Sequence, residues 1–174
     1  EAARLDPHFA EAHGNAGSIL AGQGKLDEAL ACFERALEIH PGFTQARMSA
    51  ANVLVLQGKP EEARAQFAAA LGVKPGGAEA CYYLGAAFDR QANTEAAAAE
   101  YRKALELKPN YAQAHNGLGG ILARQGKYPE AIECFEQALW IDPDFAKAKE
   151  NLRQAQEAQK SPLPVLRQMK RYSK

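Results

Sequence analysis

Five prolines, Pro7, Pro41, Pro75, Pro109 and Pro143, stand 34 residues apart at every step, with no insertion or deletion between them. A fixed period of this length marks a repeat architecture and takes precedence over any local reading. Other columns keep the same register. Ala2, Ala36, Ala70, Ala104 and Ala138 form one, Phe33, Phe67, Tyr101 and Phe135 another, and Ala29, Ala63, Ala97 and Ala131 a third. Gly24, Gly58 and Gly126 form a fourth that Ala92 interrupts, and Gly17, Ala51, Gly85 and Gly119 add a fifth, of very small residues.

Within one period the pattern is that of two amphipathic helices. From Ala112 to Phe145, the first half places His115, Leu118, Gly119 and Leu122 at i, i+3, i+4 and i+7, the spacing of a helical apolar stripe. Gly126 then supplies the left-handed conformation that ends a helix. Pro129 falls near the start of the second helix, where its missing N–H costs nothing, and Ala131, Ile132, Phe135, Ala138 and Leu139 make the second stripe. Asp142-Pro143 stops it, since proline cannot continue the hydrogen-bond ladder. Gly119 is expected opposite Ala131, where small residues let the two helices approach.

These columns resemble the tetratricopeptide repeat, whose 34-residue unit runs small residue, glycine, alanine, aromatic, alanine, proline. The resemblance implies an all-α fold, a right-handed superhelical solenoid of antiparallel helix pairs with a C-terminal capping helix. It divides the chain into 1–9, the end of a preceding repeat; repeats at 10–43, 44–77, 78–111 and 112–145; a capping helix at 146–160; and a basic tail at 161–174. His13, Arg47, Cys81 and His115 fill the column where the family often has tryptophan. Because Glu1 to Asp6 reads as the last turn of a helix, the chain is expected to begin mid-repeat within a longer protein, in which a signal, an anchor or a catalytic domain would lie upstream.

Charge and composition exclude several function classes. Lys plus Arg and Asp plus Glu both total 21, so no net field recruits nucleic acid. No stretch approaches the 18 or more apolar residues of a membrane span, and the expected compartment is the cytoplasm. His13 and His115 share a column three repeats apart, about 30 Å at about 10 Å per helix layer, too far to share a ligand. Cys32 and Cys134 are likewise three repeats apart and cannot meet the α-carbon separation of under about 7 Å that a disulfide needs. With Cys81 in the core stripe, all three read as free thiols of a reducing compartment. No catalytic residue, metal site or cofactor is expected, and the glycines fall in repeat columns, not in a phosphate-binding loop.

What remains is binding. In arrays resembling this one, the first helices line a concave groove, and the face offset from the core stripe supplies the candidate residues. These are Glu11, Asn15 and Ser18; Gln45, Met48, Asn52, Val55 and Leu56; Glu79, Tyr82, Ala86 and Asp89; and Gln113 and Asn116. Met48, Val55, Leu56 and Tyr82 are apolar where the hairpin does not require it, which reads either as an exposed binding patch or as packing between neighbouring first helices. The expected partner is a protein or peptide, an extended or helical segment laid in the groove. It is not a chaperone tail held by a carboxylate clamp, because Gly14, Ser18, Ser49, Glu79 and Tyr83 stand where the clamp's cations and asparagines would. Nor does the asparagine ladder of O-GlcNAc transferases continue, since only Asn15 matches it and Ser49, Tyr83 and Gly117 replace the rest.

The alternatives are a recruiting segment of a larger enzyme such as a glycosyltransferase, and a module that self-associates into a homo-oligomer through its end repeats. Ala146 to Lys174 holds eight basic and two acidic residues, a net of +6. There Val165, Leu166, Met169 and Tyr172 alternate with Arg167, Lys170 and Arg171, which reads as a solvated terminus or as a short basic amphipathic helix able to meet a partner or an anionic membrane.

Overall fold

The computed structural model describes residues 7–160; residues 1–6 and the basic tail at 161–174 lie outside the described residues. Among the described residues there are nine helices and no strand: α1 (Pro7–Gly22), α2 (Leu26–Ile39), α3 (Thr44–Leu56), α4 (Pro60–Leu71), α5 (Ala78–Arg90), α6 (Thr94–Leu107), α7 (Ala112–Arg124), α8 (Tyr128–Ile141) and α9 (Ala146–Lys160). A first compact unit, Glu1–Lys108, holds α1 to α6, and a second, Pro109–Lys174, holds α7 to α9. Pro7, His8 and Phe9, expected with the remnant of a preceding repeat, form the first turn of α1 instead. Proline is at ease there because its fixed φ suits a helix start.

The hairpin turns share one geometry. After α1, α3, α5 and α7 comes a residue with positive φ: Gly24 (+78°), Gly58 (+74°), Ala92 (+56°) and Gly126 (+76°). The next residue donates its N–H five residues back, Lys25 to Leu20, Lys59 to Leu54, Asn93 to Phe88 and Lys127 to Leu122. That is the Schellman closure, which satisfies carbonyls the helix end would otherwise orphan. Ala92 is the one residue in this set with a Cβ to accommodate, and a left-handed L-residue costs about 1–2 kcal/mol. Ala92→Gly is therefore expected to stabilise the first unit by about 1 kcal/mol, read as a higher urea midpoint at unchanged slope. Asn93 offsets part of the strain, its side chain accepting from Ala96 N–H as an N-cap of α6.

Each hairpin is closed by a ring laid on a small residue. A Cβ placed on Gly17 would lie 2.8 Å from Phe33 Cε1, on Gly119 2.7 Å from Phe135 Cε1, and on Gly85 3.0 Å from the Tyr101 ring. For Gly119 the closest neighbour is thus the Phe135 ring and not the expected Ala131, because the aromatic side chain reaches across the hairpin where a methyl group cannot. The second hairpin carries Ala51 in that column, clustered with Phe67, Leu54, Val55, Ala63, Leu84 and Ala87. Between hairpins, two of the joints have alanine at their centre. Ala36, Ala46 and Ala50 pack between α2 and α3, and Ala112, Ala138 and Ala148 among α7, α8 and α9.

Two departures modulate this frame. α4 ends at Leu71 because Gly72 takes the left-handed conformation (φ +67°), so it has 12 residues where α2, α6 and α8 have 14. In the column of Arg47 and His115, Arg47 donates to the Pro41 carbonyl at 2.8 Å, and His115 Nε2 lies 2.8 Å from the Pro109 carbonyl. The same position thus ties down the loop six residues upstream in two repeats. Arg64 of α4 pairs with Glu100 of α6 at 2.6 Å and with Glu61 at 2.8 Å. Cys81 is buried beside that pair, and desolvation, then the Glu100 charge, push its thiol pKa up.

Candidate functional site

In the first unit the successive first helices α1, α3 and α5 contact one another and present one face away from the second helices. Seen from the sequence, this face is built by the residues one step round from each core stripe. Glu11, Asn15 and Ser18 are exposed on α1, and Ser18 Oγ donates back to the Gly14 carbonyl at 3.0 Å. On α3, Gln45 is exposed and its amide reaches Ser49 Oγ at 3.5 Å, while Leu56 is 51% exposed.

The other apolar residues of α3 divide between the two expected readings. Val55 is 3% exposed and belongs to the core cluster around Phe67, so it is packing and not free surface. Met48 is half-buried against the same cluster. Neighbouring helices reach round the stripe and cover positions that a single helix would leave open.

On α5, Glu79 accepts from Lys108 Nζ at 2.8 Å, and this bond holds its carboxyl below the ordinary carboxylate range. Tyr82 stands edge-on to Tyr83 with ring centroids 5.2 Å apart and lies 5.8 Å from Tyr101. Burial, and then Tyr83, push its phenol upward, while Arg90 opposes the shift. Ala86 and Asp89 are half-buried further along the helix. In the second unit Gln113 is exposed, and Asn116 is half-buried with its Oδ1 accepting from Asn151 Nδ2 of α9 at 2.9 Å.

Between α1 and α3 the face sinks into an open depression of about 220 Å³, lined by Ser18, Ala21, Phe33, Ser49, Asn52, Val53 and Leu56. Three candidates, Ser18, Asn52 and Leu56, come together here. Ala21 and Ser49, which the sequence also places on the groove side, line it too, and Val53 and Phe33 join them from the core stripes. Arg90 completes the neighbourhood by donating from Nη2 to Asn52 Oδ1. That pair is 38 residues apart, one repeat plus one helical turn, an offset that could have been read from the sequence as a contact between adjacent first helices. The lining holds no ionisable side chain. A second depression of about 220 Å³ lies on another side of the unit, among α2, α3 and α4, and is lined in part by Glu34 and Glu62.

Among the described residues no three His, Cys, Asp or Glu side chains converge to hold a metal, and no helix is long and apolar enough to cross a membrane. Cys81 is buried and Cys32 and Cys134 are half-buried, with no disulfide among the described residues.

Tetratricopeptide repeat family models match residues 20–88 and 112–145, and a further model described as a TPR repeat matches 93–126. No curated protein matches the chain in sequence. Among solved structures, the crystal structure of MamA is 25% identical over 82% of this chain and 84% of that one, with a TM-score of 0.54. A structure of PilF from Pseudomonas aeruginosa is 21% identical over 87% of this chain and 69% of that one, at 0.53. The Cut9–Hcn1 hetero-tetramer of the APC/C is 20% identical at 0.55, and this chain, matched over 88% of its length, spans 31% of the chain it matches there. These likenesses establish the helical-repeat fold.

Proposed function

Because the chain belongs to the tetratricopeptide repeat family, a family of protein-interaction scaffolds, we propose that the face formed by α1, α3 and α5 holds a peptide segment of a partner protein. The observation that carries this reading is the open depression between α1 and α3, with Leu56 half in solvent at its rim. A folded chain gains nothing from leaving a large aliphatic side chain exposed beside a cavity, whereas a partner that covers it removes about 25 cal/mol of cost for each Å² of apolar surface. Serines and an asparagine interleaved with apolar residues also suit an extended backbone, which needs its N–H and C=O groups met as its side chains are buried. No reaction is proposed for these residues: of the titratable groups on the face, Glu79 is tied to Lys108 and Tyr82 is packed among rings.

The test is selection of displayed 12-residue random peptides on the immobilised chain, repeated with Leu56→Glu. Selected peptides are expected to bind the variant at least about tenfold more weakly, about 1.4 kcal/mol, with the thermal midpoint unchanged because Leu56 is at the rim. Peptides that bind both proteins equally would place the binding surface elsewhere.

A further inference from the structure

Resting on that reading, we infer that the first unit selects for a particular chemistry: an aliphatic side chain of leucine or methionine size, with a carboxylate within two residues of it along an extended peptide.

The aliphatic part follows from the depression. A cavity of about 150 Å³ lined by apolar side chains holds a molecule the size of benzene, so the 220 Å³ here has room for a four-heavy-atom side chain. Ala21, Phe33, Val53 and Leu56 make its apolar wall. No lining residue is ionisable, so a charged tip would lose its hydration with no countercharge to replace it, which is costly. The polar members, Ser18, Ser49 and Asn52, are placed for the peptide backbone at the mouth. Ser18 Oγ gives its proton to the Gly14 carbonyl and so faces a ligand as an acceptor, whereas Ser49 Oγ accepts from the Gln45 amide and keeps its proton to donate. Asn52 gives its carbonyl oxygen to Arg90, which leaves its amide N–H groups as donors.

The carboxylate part follows from Arg90. Its guanidinium is fixed at one end by Asn52, a residue of the cavity wall, and the side chain is otherwise exposed. A planar fork already held in place suits bidentate recognition of a carboxylate, and less freedom is lost on binding. The surrounding acids do not neutralise it for a ligand. Glu79 is bound to Lys108, Glu11 lies two turns from Ser18 toward the start of α1, and Asp89 is half-buried and already engaged. One anchored cation beside an uncharged cavity is complementary to an apolar residue with an acidic neighbour. Two residues of extended chain span about 7 Å, and the guanidinium stands one hydrogen bond beyond Asn52 of the cavity wall.

The peptides selected on the native chain provide the test. Leu, Met or Ile with Asp or Glu within two positions is expected to dominate them. Ser49→Leu and Ala21→Leu fill the cavity from α3 and α1 respectively, and each is expected to weaken such peptides more than tenfold. Using both guards against a folding defect in one, and circular dichroism melts identify any such defect. Arg90→Gln is expected to weaken acidic peptides five- to tenfold and to leave their Asp→Asn or Glu→Gln counterparts unchanged, and the native advantage of the acidic peptide should shrink as salt rises. Peptides that Leu56→Glu abolishes but that lack the aliphatic–acidic pair, or that bind the filled and Arg90→Gln variants as well as the native chain, would overturn this inference and leave the binding face standing. Selection of no peptide, or of peptides indifferent to Leu56→Glu, would overturn both.

Discussion

Phe67→Ala will destabilise the first unit by about 3–5 kcal/mol, the usual cost of deleting a fully buried ring. Phe67 is completely buried and joins three helices: it sits on α4, clusters with Ala51, Leu54 and Val55 of α3, and reaches Leu84 and Ala87 of α5. Its ring also stacks 6.0 Å from Tyr83. The partly buried side chains against this cluster, Leu30, Met48, Tyr83 and Phe88, already pack on it and can refill the space only in part. With a urea slope of about 2 kcal/mol/M for a small protein, the midpoint should fall by about 2 M. Because repeats couple only to their neighbours, hydrogen-exchange protection should drop in α3, α4 and α5 and persist in α7 to α9. A uniform loss of protection across all the helices would contradict that coupling scheme.

A second large effect is expected at Gly119, with a sign that its neighbour reverses. Gly119→Leu must push aside the Phe135 ring, already within 2.7 Å of where the first added carbon would sit and itself 1% exposed. Overpacking of this kind costs about 1–3 kcal/mol or more, which outweighs the roughly 1 kcal/mol gained by replacing a helical glycine. At Gly120, one residue on, an added Cβ would meet only the tip of Arg124 at 3.9 Å. Gly120→Leu should therefore stabilise the same helix by up to about 1 kcal/mol. Urea melts of the two variants, followed by far-ultraviolet circular dichroism and by the single tryptophan, Trp140 of α8, separate packing from helix propensity. If both variants moved in the same direction, the ring contact would not be what sets the helix spacing.

The 34-residue ladder carried the helix order and the turn positions, because each depends on residues within one hairpin, but not the laying of the Phe135 ring on Gly119, where Ala131 was expected. The site was less legible because it depends on residues in different hairpins. Val55 lay on the expected open face, yet α5 and α4 cover it through Leu84, Ala87 and Phe67. Val53 reads from the sequence as core alone, but it lines the depression because α1 runs alongside α3 there. Tyr82 reads from the sequence as binding patch or as packing, and the structure sets its ring against Tyr83 and Tyr101. The anchoring of Arg90 by Asn52 is the exception that the period does encode, provided columns are compared at one repeat plus four residues. Gly72 was invisible to the column analysis because it is unique, and its effect, a helix shortened by two residues, comes from that singularity.

The alanine joints between hairpins have a consequence for how such a chain can change over generations. Where rings and glycines interlock, inside each hairpin, one member cannot vary without the other. Where Ala36 meets Ala46 and Ala50, or Ala138 meets Ala148, the same columns build both joints, Leu37 and Phe43 beside the one and Leu139 and Phe145 beside the other, so these two joints impose little order on which hairpin follows which. A gene encoding these modules can gain, lose or shuffle one 34-residue block without composing a new interface, and each rearrangement brings together a new pair of first helices and a differently furnished surface between them.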